Sequence, residues 1–85
     1  MQFLHKRVFI KSGQKVKVTL SRPANVKLMD DSNFRNYKNG RGHRYYYGQA
    51  INNTVIIPVE FSGNWNITID LGITGGSIRH SIEIF

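Results

Sequence analysis

Residues 65–71 read Trp-Asn-Ile-Thr-Ile-Asp-Leu and alternate strictly between apolar and polar side chains. Such alternation places every apolar residue on one face of an extended strand, so this stretch predicts a half-buried β-strand. A Ser-Gly-Asn turn at 62–64 leads into it. Because no stretch of the chain has the length and period of a full helix, the pattern favours an all-β fold.

Working outward from this strand, three more stretches have the same character. Residues 14–20 and 25–29 alternate on either side of a Ser-Arg-Pro-Ala turn and predict a hairpin. Residues 54–61 predict another strand, with Phe61 on its apolar face. Because Pro58 cannot donate to a ladder, we expect that strand at a sheet edge or with a bulge.

Both ends of the chain also predict strands. Residues 3–10 are β-prone, although Lys6 falls among their apolar positions. Residues 78–84 alternate after a glycine-rich loop at 72–76, with His80 on the apolar face. We expect His80 to be a hydrogen-bonded core residue.

The fold class that these stretches predict is all-β: a small antiparallel β-sandwich or small barrel of six to seven short strands. The 85 residues suffice for a single domain, 1–85. The chain contains no cysteine, so neither a disulfide framework nor a thiolate metal site is expected, which fits a cytoplasmic protein. A charged N-terminus argues against a signal peptide, and no apolar run is long enough to span a membrane.

One segment, residues 30–47, interrupts the strand pattern with polar, basic and tyrosine-rich sequence. We expect a long loop containing a short helical turn. Asp31 or Ser32 is placed to cap that turn, which would bring Phe34 and Tyr37 together at a spacing of three residues. This first half of the segment therefore predicts an architectural role.

The second half of the segment carries the candidate binding residues. Asn39-Gly40 predicts a tight two-residue turn. In an extended chain Tyr45 and Tyr47 share one face and Tyr46 lies on the other, so one or two of these rings face a ligand and the remainder enter the core. Arginines offer bidentate donors to phosphate or carboxylate, and tyrosines offer rings for stacking. The predicted binding residues are Arg35, Lys38, Arg41, His43, Arg44, Tyr45 and Tyr47.

The alternative for this segment is that its aromatic residues fill the core while its basic residues solvate a long loop. Loops of more than about 12 residues without secondary structure are uncommon unless they are functional, which favours the binding interpretation. The formal net charge of +7 favours anionic partners.

Catalytic and metal sites are not predicted. His5, His43 and His80 are scattered without the spacing of metal ligands. Asp30 and Asp31 are adjacent, so their side chains diverge in an extended chain and cannot act as an opposed acid and base. No nucleophile elbow or phosphate loop surrounds the serines and glycines. We therefore expect neither an enzyme nor a cofactor.

The most specific motif in the chain is Leu-Met-Asp-x-Ser-Asn-Phe-x-x-Tyr, residues 28–37. It resembles the bacterial domain-of-unknown-function family numbered eighteen eighty-three. The resemblance implies a compact β-sandwich, found alone or joined to TIR domains. TIR domains cleave NAD or relay signals in immunity, so the resemblance implies that a domain of this family recognises a molecule rather than catalyses a reaction. It covers nearly the whole chain and extends to residues 3–5, 16–21, 24–27, 40, 43, 45–46, 63–65 and 70–72.

Three functions follow as hypotheses. The first is a non-catalytic binding or sensing module that recognises a partner protein or a small anionic ligand through residues 30–47. The second is a single-stranded nucleic-acid binder of small-barrel type, from the basic charge beside the tyrosines. The third is a self-associating structural domain, a homo-oligomer assembled through edge strands, from Pro58 and the apolar run 55–57. No membrane partner is expected. The clustering of aromatic residues in one segment ranks the binding module first.

Overall fold

The computed structural model describes residues 3–47, 49–51, 53–71 and 77–85. The loop predicted at 72–76 lies outside the described residues. In chain order the elements are β1 (Phe3–Ile10), β2 (Lys15–Leu20), β3 (Asn25–Asp30), α1 (Asp31–Lys38), β4 (Gln49–Ile51), β5 (Thr54–Pro58), β6 (Gly63–Asp70) and β7 (His80–Ile84).

The strands form two antiparallel sheets, which confirms the predicted all-β sandwich. One sheet has the order β1-β6-β3 and the other the order β4-β5-β2-β7. The predicted hairpin over 14–29 is wrong, because β2 pairs with β5 and β7 whereas β3 pairs with β6. The proline turn between them carries the chain from one sheet to the other.

The core lies between the two sheets and is built from the alternating positions of the strands. From β6 it takes Trp65, Ile67 and Ile69, as the alternation predicts. The opposite sheet contributes the buried valines of β2 and the buried Val55 and Ile57 of β5. β2, β5 and β6 thus each present one apolar face inward, which is the arrangement that the period of two requires.

The strand predicted over 54–61 differs from expectation in two ways. It ends at Pro58, and β5 lies inside its sheet between β2 and β4 rather than at an edge. Pro58 is tolerated there because β4 pairs only with residues 54–56, so no ladder bond to β4 is lost. Beyond the strand end the chain no longer alternates regularly, and Phe61 is exposed rather than buried.

His80 is also placed differently from the prediction. It pairs in register with Leu20 and so shares the inward-facing row of β7, but its side chain is exposed because β7 is an edge strand. It is not a core residue.

An eight-residue α-helix, α1, replaces the single turn that was expected, and its cap is neither Asp31 nor Ser32. Asp30 is the N-cap residue, and its carboxylate accepts a hydrogen bond from the Asn33 amide at 2.8 Å. The helix buries Phe34 and Tyr37 on the outer face of the three-stranded sheet, where they form a second apolar cluster.

Asn39-Gly40 ends this helix instead of forming the tight two-residue turn that the dipeptide predicts. Gly40 has a φ of +70°, its amide donates to the Tyr37 carbonyl at 3.2 Å, and the Arg41 amide donates to the Asn36 carbonyl at 2.8 Å. This pair of bonds is a Schellman motif, which satisfies the last carbonyls of a helix and requires a left-handed residue.

Replacing Gly40 by alanine is expected to lower the free energy of unfolding by about 1 kcal/mol, because a side chain at positive φ is strained. Gly42→Ala is the matched control, since Gly42 lies two residues away without a positive φ and a methyl group there meets nothing within 4 Å. Urea denaturation of both variants measures the difference, and equal losses would contradict the assignment of strain to Gly40.

Candidate functional site

The outer face of the three-stranded sheet is covered by α1 and by residues 41–47, which we call the strap. The strap runs beside edge strand β3: the Leu28 and Tyr46 amides each donate to the other residue's carbonyl at 2.8 Å. This single antiparallel bridge sets the direction of the tyrosines. Tyr46 takes the face of Leu28 and contacts Trp65, whereas Tyr45 and Tyr47 pack against each other with ring centroids 5.9 Å apart.

Lys27 of β3 holds the strap from beneath. Its ammonium lies 4.3 Å from the ring centroid of Tyr45 and 5.1 Å from that of Tyr37, so both rings offer it cation–π attraction. The same nitrogen is 3.2 Å from Nε2 of His43, whose Nδ1 is 3.1 Å from the Arg41 carbonyl. Since a carbonyl only accepts, the geometry assigns the ring proton to Nδ1 and leaves Nε2 to accept from Lys27. Both nitrogens of His43 are thereby engaged.

A second polar network ties α1 to β1 and β6. Arg7 donates two hydrogen bonds to the Asp31 carboxylate, at 3.0 and 2.8 Å, and the buried Asn66 amide nitrogen donates a third at 2.8 Å. The Asn66 oxygen in turn lies 2.8 Å from Nε2 of His5, which therefore donates to it. The hydrogen bonds from Arg7 and then from Asn66 hold the pKa of Asp31 well below its usual range. The ionised carboxylate of Asp31 therefore has a structural role, because it holds α1 to β1 and β6.

A groove of about 800 Å³ lies between the strap and the turn that leads into β6. We call it the strap groove. Its aromatic lining comes from Tyr46, Phe61 and Trp65. Trp65 donates from its indole nitrogen to the Phe61 carbonyl at 3.0 Å, and Tyr46 packs edge-on against Trp65 at 5.8 Å. The buried Trp65 thus fixes the floor, while Tyr46 and Phe61, 43% and 63% exposed, form accessible walls.

Polar groups on the helix side of the strap groove are held in a fixed arrangement. The carboxylate of Asp30 accepts from both the backbone and the side-chain amide of Asn33, at 2.8 and 2.9 Å. The Asn33 oxygen accepts from the Arg44 amide at 2.7 Å. The Arg44 side chain is exposed, and across the described ranges no hydrogen bond or ion pair engages it. Asp30 therefore caps α1 through Oδ1. The Arg44 guanidinium beside it is available to a ligand.

The structure brings together only some of the predicted binding residues. His43, Arg44 and Tyr45 line the strap groove. Tyr45 also lines a second groove of about 410 Å³, together with Tyr47. The other three predicted residues, all exposed and basic, line neither groove. They are Arg35, Lys38 and Arg41.

The three consecutive tyrosines do not divide between ligand and core as expected. All of them are exposed, including Tyr46. The strap lies along a sheet edge, so even the ring that takes the inward face of β3 stays at the open end of the sandwich. The buried tyrosine is Tyr37 of α1, and burial raises the pKa of its hydroxyl.

Sequence reasoning missed the opposite wall of the strap groove. Strand alternation places Phe61 on the apolar face of one strand and Trp65 on the apolar face of the next. Asn64, exposed at the start of β6 between them, has no role in the sequence prediction. The signal available in the sequence was the position of both aromatic residues directly beside the Ser-Gly-Asn turn, where strand alternation no longer constrains a side chain.

Two further properties complete the site. Among the residues that the structure describes, no three His, Asp or Glu side chains gather closely enough to hold a metal ion. Within those same residues, α1 is far shorter than a helix would have to be to cross a bilayer.

The Arg7–Asp31 contact predicts a specific pH dependence. Because the pKa of Asp31 is lower in the folded than in the unfolded chain, its ionised form stabilises the fold above about pH 4, and this contribution is lost as the pH falls below that value. Asp31→Asn should therefore be less stable than the parent at pH 7, with the gap narrowing below about pH 4. Urea denaturation across this range measures the gap.

Glu60→Gln is the control for removing one negative charge, since Glu60 is exposed and its side chain takes no part in this network. A gap for Asp31→Asn that stays constant down to pH 3 would contradict the role of the ion pair.

Comparison with known proteins identifies the family. Residues 1–85, the whole chain, match the family model described as "Domain of unknown function (DUF1883)". No curated protein and no solved structure matches the chain significantly. The match confirms the resemblance carried by residues 28–37, the run that forms the end of β3 and most of α1. The chain therefore belongs to the DUF1883 family of domains of unknown function.

Proposed function

We propose that this domain is a non-catalytic binding module whose strap groove takes a small anionic ligand with a planar ring, such as a nucleotide. The observation that carries the proposal is the pairing of exposed aromatic walls with an unengaged arginine in one concavity. Its volume of about 800 Å³ lies within the range of small-molecule sites. A cytoplasmic location, expected from the absence of cysteine, belongs to the same proposal.

The aromatic walls support a ligand with a flat ring. Tyr46 and Phe61 both retain large exposed areas, and the buried Trp65 behind them is fixed by its hydrogen bond to the Phe61 carbonyl. A ring that stacks on such a surface is worth about 1–3 kcal/mol, and stacking tolerates different bases. Little ordering is required on binding because the floor is already held in place.

The charges favour an anion over a neutral ring. Asp30, the acid at the groove, caps α1 through one oxygen, Oδ1, which accepts from both the backbone and the side-chain amide of Asn33. Arg44 is the cation of the groove, and its backbone is anchored to Asn33. Guanidinium groups bind phosphate and carboxylate with paired hydrogen bonds. The formal charge of +7 adds long-range attraction of the same sign.

The acid–base groups of the groove support binding without catalysis. A general base needs a free lone pair within reach of a substrate proton. His43 has one ring nitrogen on the Arg41 carbonyl and the other on Lys27, so its ring offers no free lone pair. The imidazole that a general base would require is thus engaged in holding the strap.

Arg44→Ala is expected to weaken binding of AMP about tenfold or more, because it removes a charge-assisted contact. Arg41→Ala is its matched control: it removes the same charge three residues away, from a side chain that does not line the groove. Isothermal titration of both variants with AMP separates a local contact from the overall positive field. Equal weakening by the two variants would contradict the site.

Phe61→Ala should likewise weaken AMP binding about tenfold, because it removes one stacking wall. Phe9→Ala provides the control, since Phe9 is 56% exposed at the end of β1 and outside the groove. Amide chemical shifts should move in residues 43–46 and 61–65 when AMP is added. The proposal fails if millimolar AMP leaves these amides unchanged.

A second candidate function rests on Tyr45 and Tyr47. Their exposed rings lie on the same face 5.9 Å apart, next to Lys27, and Tyr45 lines both grooves. Successive rings beside a cation suit the bases of a single nucleic-acid strand. In that case a labelled oligonucleotide binds with a steep salt dependence, and Tyr47→Ala weakens it more than Phe61→Ala does. A salt-independent affinity would remove this candidate.

A further inference from the structure

Two edge strands face each other on the side of the sandwich away from the strap. β1 is the edge of the three-stranded sheet and β7 the edge of the four-stranded sheet. Between them lies a cavity of about 290 Å³, which we call the edge cavity. Its apolar lining is Leu4, Ile67, Ile69 and Ile82, and its polar lining is His5, Lys6 and His80. The ring of His5 is already engaged by Asn66.

The interior of the edge cavity is apolar. Ile67 and Ile69 of β6 form its deep wall and are each only 1% exposed, so a tail reaches them only by entering between Leu4 and Ile82. Leu4 and Ile82 stand at its sides and are only half-buried, although both face the core. Apolar surface that remains open next to a core gains free energy when an apolar group covers it.

The two residues that break the strand patterns meet at this cavity. Lys6 pairs in register with Ile67 and so occupies an inward-facing row of β1. His80 pairs with Leu20 and occupies the inward-facing row of β7. Both side chains are exposed at the cavity, and within the described residues neither one has a hydrogen-bond or ion-pair partner. An apolar interior thus opens beneath an unpaired ammonium and an imidazole.

A simpler role for Lys6 is to prevent edge-to-edge aggregation, since an inward-pointing charge on an edge strand has that effect. This role accounts for Lys6 on its own. It does not account for a second polar residue on the facing strand at the same opening, nor for the apolar volume behind them. A ligand with an anionic end and an apolar tail accounts for all three.

We propose that the edge cavity binds a medium-chain alkyl carboxylate, with its tail between the sheets and its carboxylate against Lys6 and His80. A volume of about 290 Å³ is that of roughly ten water-sized groups, and a methylene group is of similar size. The cavity therefore accommodates a chain of roughly eight to ten carbons. This site is separate from the strap groove and does not depend on the function proposed for it.

Chain length provides the first test on the intact protein. Each methylene that enters the cavity should tighten binding about fourfold, which corresponds to about 0.8 kcal/mol. Titration with hexanoate, octanoate and decanoate should follow this series, and dodecanoate should bring little further gain. Methyl signals of Ile67, Ile69 and Ile82 should shift on binding. Shifts confined to other regions, or no shift with millimolar decanoate, would overturn the proposal.

Head-group charge provides the second test. Nonyltrimethylammonium has the same alkyl tail as decanoate with the opposite charge and should bind at least tenfold more weakly than decanoate. Lys6→Met should abolish this preference, whereas Lys11→Met, at an exposed lysine of the β1–β2 turn, should preserve it. His80→Gln should weaken decanoate binding several-fold.

A third set of variants separates ligand binding at Lys6 from protection of the sheet edge. If Lys6→Met self-associates, Lys6→Gln removes the charge while keeping a polar edge, and the same loss of preference is expected. Unchanged decanoate binding in Lys6→Gln would show that Lys6 only protects the edge and would overturn the site. Arg44→Ala should leave decanoate binding unaltered, so failure of the strap groove and failure of the edge cavity can be distinguished.

Discussion

The structure depends on the burial of β6 on both of its faces. Its inward face supplies the apolar centre of the sandwich, and its outward face places Asn66 and Thr68 beneath α1, fully buried. A buried amide without partners costs about 1–3 kcal/mol, so the surroundings of Asn66 must supply donors and acceptors. Asp31 and the Met29 carbonyl accept from its nitrogen, and His5 donates to its oxygen. One side chain thereby connects the start of α1, the end of β3 and the middle of β1.

This constraint determines where the candidate site lies. Because Asn66 holds Asp31 in the first turn of α1, the helix leaves β3 in a fixed direction and its C-terminal glycine returns the chain toward β3. The strap then pairs with Leu28, and Lys27 engages the rings of Tyr37 and Tyr45 with His43 beside them. The groove is the space that remains between this returning chain and the turn before Trp65. The position of the groove therefore follows from the capping of α1.

Strand alternation was sufficient to predict the sandwich, since Ile67 and Ile69 are buried as their spacing requires. It could not predict which strands pair, because 14–20 and 25–29 alternate identically whether the turn between them forms a hairpin or crosses between sheets. The sequence predicts the helix N-cap one residue too late, because Asp30 and Asp31 are the same residue type and either one can cap a helix. What distinguishes them is Arg7, which lies 24 positions before Asp31 and engages it in an ion pair. Contacts of that separation leave no local signature.

Departures from alternation were more informative about the surface than alternation itself. Lys6 and His80 disturb the apolar rows of two strands, and both lie at the mouth of one cavity between sheet edges. Phe61 follows the parity of β5 but lies beyond Pro58, where β5 ends, and it forms a wall of the strap groove. Each of these residues lies at a strand end or on an edge strand, where one side of the strand has no paired neighbour. Such a position is not fully buried and therefore does not require an apolar side chain. Side chains at such positions are free to serve a ligand, which is why both proposed sites of this small sandwich lie at strand ends and sheet edges.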